Sequence, residues 1–231
     1  MTEENQRVAV ITGGSRGIGA GLVAGYRGQG WAVVASALRI EPSQDPGVLA
    51  VEGDVAEPGT ADRVIGRALD RFGRLDTLVN NAGVFVSKPF TDYTAEDYAL
   101  VTRVNLAGFF WVTQRAITEM ARRYGGHVVT ITATLADNAE PAPYSRAPDS
   151  RAPCGTGSSV LAALTKGGLA AATRSLAIEY AALGIRVNAV SPGGRHLGQV
   201  RDIIDAILFL EASPYITGEV VHVDGGRIAG R

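Results

Sequence analysis

Seven short runs of apolar residues alternate along this chain with longer segments that carry their apolar side chains on one face. The runs lie at residues 7–11, 31–36, 48–51, 75–80, 127–132, 185–190 and 220–223. A run that is apolar at consecutive positions must be buried on both faces of a sheet, which is the habit of parallel strands covered by helices. The intervening segments have helical spacing. Residues 61–72 place Val64, Ile65, Ala68, Leu69 and Phe72 on one side of a helix. Residues 18–28, 95–124, 158–183 and 200–211 read as helices in the same way. Right-handed crossovers then predict an α/β chain with one doubly wound parallel sheet of about seven strands flanked by helices. Residues 1–231 form a single domain in this reading, without linker or internal repeat. One stretch, residues 137–157, is rich in Pro, Ser, Gly and charge, and reads as an inserted surface loop.

The balance of charge narrows the partners. A formal net charge of −1 gives no general attraction to nucleic acid or to an anionic membrane. No apolar run approaches the roughly 20 residues that a membrane helix needs. Cys154 is the single cysteine, so no intrachain disulfide forms, and a cytoplasmic, reducing location is expected. The histidines His127, His196 and His222 show no metal-ligand spacing, so no metal is expected.

The loop between the first strand and the first helix carries the chemistry. It reads Thr12-Gly13-Gly14-Ser15-Arg16-Gly17-Ile18-Gly19. Glycines there allow a tight turn and let the backbone approach a pyrophosphate. The start of the helix offers unpaired N–H groups and the positive end of its dipole. A strand before and a helix after this pattern make it a dinucleotide-binding fingerprint of Rossmann type.

Six further ordered motifs accompany the loop. They are Asp54-Val55 after the third strand, Asn80-Asn81-Ala82-Gly83 after the fourth, Asn105 on a helix, Lys166 on another, Ser191-Pro192-Gly193 after the sixth strand, and Val223-Asp224-Gly225-Gly226 at the end. With TGGSRGIG, the set resembles the short-chain dehydrogenase/reductase family over nearly the whole chain. The resemblance implies that Gly13, Ser15, Arg16, Gly17, Ile18 and Gly19 hold the cofactor pyrophosphate side. It implies that Asp54 and Val55 contact adenine, that Asn81, Ala82 and Gly83 line the cofactor, and that Pro192 and Gly193 flank the nicotinamide. Members that prefer NAD(H) carry an acid at the end of the second strand, for the ribose 2′-OH. This chain reads Ala37-Leu38-Arg39 there, and Arg16 stands in the loop. Two guanidinium groups suit a 2′-phosphate, so NADP(H) is expected in preference to NAD(H).

The catalytic part of the resemblance is incomplete. The family places a proton-donating tyrosine one helical turn before its lysine, a serine after the fifth strand, and an asparagine that supports a proton relay. Counting back from Lys166, which the resemblance assigns to the cofactor ribose, reaches Ala162 at the tyrosine position. Ala133 falls at the serine position, with Thr132 and Thr134 beside it as candidate hydroxyls. Asn105 and Lys166 are present. Tyr144, in the inserted loop, is the leading candidate for a replacement acid, and Lys166 is another if desolvation lowers its pKa. Only residues 194–199 separate the Pro-Gly turn from the next helix, where the family inserts a substrate lid.

The expectation is an NADP(H)-dependent oxidoreductase acting on a small carbonyl or alcohol, as a homodimer or homotetramer. The alternative is a catalytically inactive or regulatory NADP(H)-binding homologue.

Overall fold

The structure is a computed structural model and describes residues 6–136, 160–193 and 198–229. Seven strands form one sheet: β1 (Val8–Thr12), β2 (Ala32–Ala37), β3 (Val48–Glu52), β4 (Thr77–Asn80), β5 (Gly126–Ile131), β6 (Ile185–Pro192) and β7 (Val220–Val223), in the order β3-β2-β1-β4-β5-β6-β7. Every pairing is parallel. The helices are α1 (Gly17–Gly28), α2 (Pro58–Phe72), α3 (Ala95–Thr102), α4 (Gly108–Arg122), α5 (Val160–Tyr180) and α6 (Val200–Ala212). The strand order reverses beside β1, between β1 and β4, which places the crevice for a ligand at their C-terminal ends.

Strand alternation divides the core into two layers. Val8 and Val10 of β1 pack with Ala32 and Val34 of β2 against α2 and α4, through Val64, Ile65, Val112 and Met120. Ala9 and Ile11 of the same strand point the other way, with Val33 and Val79, into Leu22 and Tyr26 of α1 and Ile207 and Leu210 of α6. A strand buried on both faces cannot alternate apolar with polar residues, which is why β1 and β2 read as continuous apolar runs. Burying one such Val, Leu or Ile stabilises by about 1.5–3 kcal/mol.

Element ends follow local chemistry. Pro58 opens α2 because its missing N–H would be unpaired there, so that helix starts before residue 61, where its apolar periodicity begins. Gly73, with φ 72°, closes it in the left-handed conformation. Thr94 caps α3 reciprocally: its Oγ1 accepts from Asp97 N, and the Asp97 carboxylate accepts from Thr94 N. The region expected as one helix over 95–124 is interrupted. Arg103–Ala107 forms a π-helical turn between α3 and α4, and Asn105 lies in it. Among the described residues no helix is long and apolar enough to cross a membrane.

Candidate active site

The glycine loop is held in shape by the strand next door. Asn81 Nδ2 donates to Thr12 O at 2.9 Å and to Gly13 O at 3.1 Å. Thr12 Oγ1 accepts from the backbone N of Asn81 at 3.1 Å and of Ala82 at 3.0 Å. Gly13 has φ +67°, and a Cβ on Gly19 would lie 2.0 Å from Gly13 O. The turn therefore tolerates no side chain at Gly19 without moving backbone. Arg16 precedes α1 in an extended conformation and makes no side-chain cap, and the first turn of α1 holds no acid. The N–H groups of that turn are left for an anion, supported by the helix dipole.

This loop forms one wall of a cleft of about 610 Å³ at the C-terminal ends of β1, β2 and β4. Gly13, Ser15, Arg16, Gly17, Ile18, Arg39, Asp54, Val55, Asn81, Ala82 and Gly83 all line it. Gly19 is buried behind the loop. Thr12, Leu38, Val84 and Val104 also line the cleft, and the sequence reading gave none of them a cofactor contact of its own. Thr12 and Leu38 were legible in principle, as the residues that end or follow parallel strands. Arg16 and Arg39 are exposed, and neither guanidinium has a partner among the described residues. Glu52 Oε1 accepts from Ile40 N at 3.3 Å and so ties down the turn that carries Arg39. Asp54 is not free: one oxygen accepts from Ala56 N, and the other pairs with Arg103 Nη1 at 3.0 Å.

The inner end of the cleft meets the proposed catalytic groups. Asn105 is buried and fully engaged. Its Oδ1 accepts from Val84 N at 2.9 Å, while its Nδ2 donates to Val84 O and to Thr165 Oγ1. It thus clamps the segment after β4 to α5. Lys166 follows Thr165, and its Nζ donates to Ile131 O, the last residue of β5, at 2.6 Å. Burial lowers its pKa from 10.5 to about 8, since the ammonium loses hydration. A Cβ on Gly83 would lie 3.3 Å from Asn105 Oδ1 and 3.4 Å from Lys166 Nζ, so both groups stand directly behind the cleft wall. Ala162 is buried one turn before Lys166.

The two threonines differ. Strand β5 ends at Ile131, one residue earlier than its apolar run suggests. Thr132 is buried and its Oγ1 donates to Val190 O at 3.2 Å. Thr134 is buried at the start of a short 3₁₀ turn, Thr134–Ala136. Pro192 ends β6, and Gly193 N donates to Val223 O of β7 at 2.9 Å. Tyr144, His196 and the loop 137–157 lie outside the described residues.

Comparison with known proteins agrees with this geometry. Residues 7–146 match the short chain dehydrogenase family, and residues 151–196 match a family described as enoyl-(acyl carrier protein) reductase. A 3-oxoacyl-[acyl-carrier-protein] reductase of Synechocystis sp. is 30% identical, with 99% of each chain covered. That alignment runs over 263 positions against the 231 residues here, so the relative carries segments that this chain lacks. A (2S)-[(R)-hydroxy(phenyl)methyl]succinyl-CoA dehydrogenase subunit of Thauera aromatica is 30% identical over 96% of each chain. Among solved structures, a short-chain dehydrogenase/reductase from Serratia marcescens superposes with a TM-score of 0.82 at 30% identity, covering 95% of this chain and 96% of that one. ElxO, solved with NADP bound, shares the fold with a TM-score of 0.86 at 24% identity, over 97% of this chain and 99% of its own. The glycine loop, the cleft and the Lys166–Asn105 pair thus sit in a chain that belongs to the short-chain dehydrogenase family.

Proposed function

We propose that this chain is an NADP(H)-dependent oxidoreductase acting on a small carbonyl or alcohol substrate. The observation that carries the reading is the cleft itself. An uncapped helix start and glycines that leave no room for a Cβ form one end, and two unpartnered guanidinium groups stand at the rim. Those features fit a pyrophosphate and a second, separate phosphate. Backbone N–H groups of α1 would hold the pyrophosphate. Arg16 and Arg39 would grip the 2′-phosphate by charge-assisted hydrogen bonds. Asp54 and Val55 would flank the adenine, Asn81, Ala82 and Gly83 would line the path between, and Pro192 and Gly193 would stand beside the nicotinamide. When bound, the nicotinamide supplies the hydride. NADP bound to the structural relative ElxO is in keeping with this preference.

The chain's own groups divide the remaining work. Lys166 would meet the ribose, and Asn105 fixes the segment that presents Gly83 to the cleft. Thr134 is the better of the two hydroxyls for polarising a substrate oxygen, because the Thr132 hydrogen is committed to Val190 O. Tyr144 stays a candidate acid on the inserted loop. The π-helical turn, α4 and α5 share an apolar face through Leu106, Phe109, Phe110 and Leu169, with Phe110 half exposed, which suits a homodimer or homotetramer contact. The test is NADPH and NADH binding by cofactor fluorescence, beside NADPH consumption with a panel of ketones and quinones. NADPH affinity well above NADH affinity, with turnover of at least one panel member, is expected. Binding without turnover makes the chain a non-catalytic NADP(H) binder, and no affinity for either dinucleotide overturns the reading.

A further inference from the structure

We propose that Lys166 itself delivers the proton to the substrate oxygen, in place of a tyrosine. The inference rests on the oxidoreductase reading above. Its ground is the arrangement of groups around Nζ. The residue one turn earlier on the same helix face is Ala162, whose methyl carries no transferable proton. The hydroxyl of Thr165 donates within its own helix, to Leu161 O at 2.8 Å, and that of Thr132 donates to Val190 O. Lys166 Nζ spends one of its protons on Ile131 O and has no other partner among the described residues. An ammonium carries three, so two remain to be given.

The place of those protons matters. Nζ lies against Gly83, and Gly83 lines the cleft. Burial alone moves the titration of this ammonium to about 8. No charged group on β5, on the π-helical turn or on the segment after β4 contributes to that shift. An acid with a pKa close to working pH is well suited to proton transfer. In the reductive direction a bound reduced nicotinamide would supply the hydride for the new C–H bond at the carbonyl carbon, and the C=O π pair would move onto oxygen. That oxygen takes a proton from Lys166 Nζ as an N–H bond breaks. The amine left behind is neutral and regains its proton from solvent water.

Three variants test this, each checked for folding by circular dichroism and for NADPH affinity by fluorescence. The first readout needs no turnover: the ¹³Cε resonance of labelled lysine should contain one signal that titrates near 8 and vanishes in Lys166→Arg. The second is the single-turnover rate of hydride transfer against pH. It should fall as Nζ deprotonates above about 8 in the natural chain. Lys166→Arg keeps a cation but holds its proton, and should slow transfer about 100-fold or more in protein saturated with NADPH. Lys166→Met should lose the pH-dependent limb altogether. A Lys166→Arg variant that keeps its rate and its pH profile overturns the proposal. So does a silent natural chain that gains activity only on Ala162→Tyr, which would show a missing acid inside an intact reductase site. If NADPH binds but no variant, Ala162→Tyr included, turns over any panel member, the oxidoreductase reading fails and this proposal fails with it.

Discussion

The two ends of the sheet use polar groups in opposite ways. At the C-terminal end, donors are left open. Arg16 and Arg39 have no partner among the described residues, α1 starts uncapped, and Lys166 holds protons in reserve. At the N-terminal end, polar groups are spent on one another. Glu211 Oε2 accepts from Thr77 Oγ1 at 2.8 Å, from Tyr26 OH at 3.2 Å and from His127 Nδ1 at 3.0 Å. His127 Nε2 faces Asn188 Nδ2 at 3.1 Å and Arg186 Nη1 at 3.4 Å, two donors that assign the ring proton to Nδ1. Arg186 in turn donates to the carbonyls of Leu210, Ser213 and Ile216, closing the end of α6. A satisfied network stabilises a fold, whereas an unsatisfied one is available to a ligand and costs stability until the ligand comes.

The sharpest way to break this comparison is Glu211→Ala. The change strips a shared acceptor from Thr77, Tyr26 and His127 in a buried setting. Unfolding free energy, measured with urea, should fall by about 3–5 kcal/mol. NADPH affinity at the far end should stay the same. A parallel fall in affinity would mean that the two ends are one unit. Acid acts on the same network. Burial depresses the pKa of His127, against the pull of Glu211. Burial opposes ionisation of Glu211, yet the hydrogen bond and charge of His127, the bond from Thr77 and the charge of Arg186 prevail and hold it below the usual carboxylate range. Both folded-state values lie below the unfolded ones, so stability is present at neutral pH. It declines as pH falls through about 6.5 and further as Glu211 takes up its proton.

Lys166 shows the opposite sign of the bargain. The folded chain releases its proton at about 8, while the unfolded chain keeps it to 10.5. Between those values unfolding takes up a proton, so raising the pH across the window strengthens the fold. Lys166→Met should therefore be more stable than the natural chain at neutral pH, by up to about 3 kcal/mol, with the gap closing toward pH 10.5. Denaturation of both proteins across that range checks it, and a constant gap would mean that Lys166 is solvated. Next in size is Gly19→Ala. A methyl placed 2.0 Å from Gly13 O has to displace backbone. NADPH affinity should drop about 100-fold, or roughly 2.7 kcal/mol, and unchanged affinity would show that the loop does not hold the pyrophosphate.

Sequence reading reached the C-terminal end better than the N-terminal end, and the reason is physical. A cofactor cleft is built from loops that follow strands, so glycines and short polar signatures lie together in the chain. Thr12 to Gly19 is one continuous string, and Asn81-Ala82-Gly83 is another. The His127–Glu211 contact joins residues 84 positions apart, and neither has a local signal beyond being a polar residue beside an apolar run. The π-helical turn at Asn105 was invisible for a related reason. A single extra residue in a helix shifts the apolar stripe by less than the stripe's own width. Thr12 was read only as the first residue of the glycine loop, although its hydroxyl organises the segment that follows β4. What could be read was the pattern of burial and the need for small residues. Which polar atoms had already found partners could not.

That distinction gives the finest test of the C-terminal end. If Arg16 and Arg39 are unpartnered because a phosphate is to come, each should act only on the dinucleotide that carries it. A charge-assisted hydrogen bond contributes about 1.5–3 kcal/mol, and exposure of both side chains argues for the lower part of that range. Arg16→Ala and Arg39→Ala should each weaken NADPH binding about 10-fold, leaving NADH within a factor of about two, since NADH lacks the group they would hold. Glu52 ties down the Arg39 turn, so Glu52→Gln should reproduce part of the Arg39 effect without touching Arg16. The double arginine variant should lose close to the product of the single losses if the guanidinium groups reach different phosphate oxygens, and less if they compete for one. Raising salt should erode NADPH affinity faster than NADH affinity in the natural chain and should do so less in the double variant. Equal losses of NADH and NADPH in the single variants would make these arginines part of the loop's fold, and the C-terminal end would then resemble the N-terminal one after all.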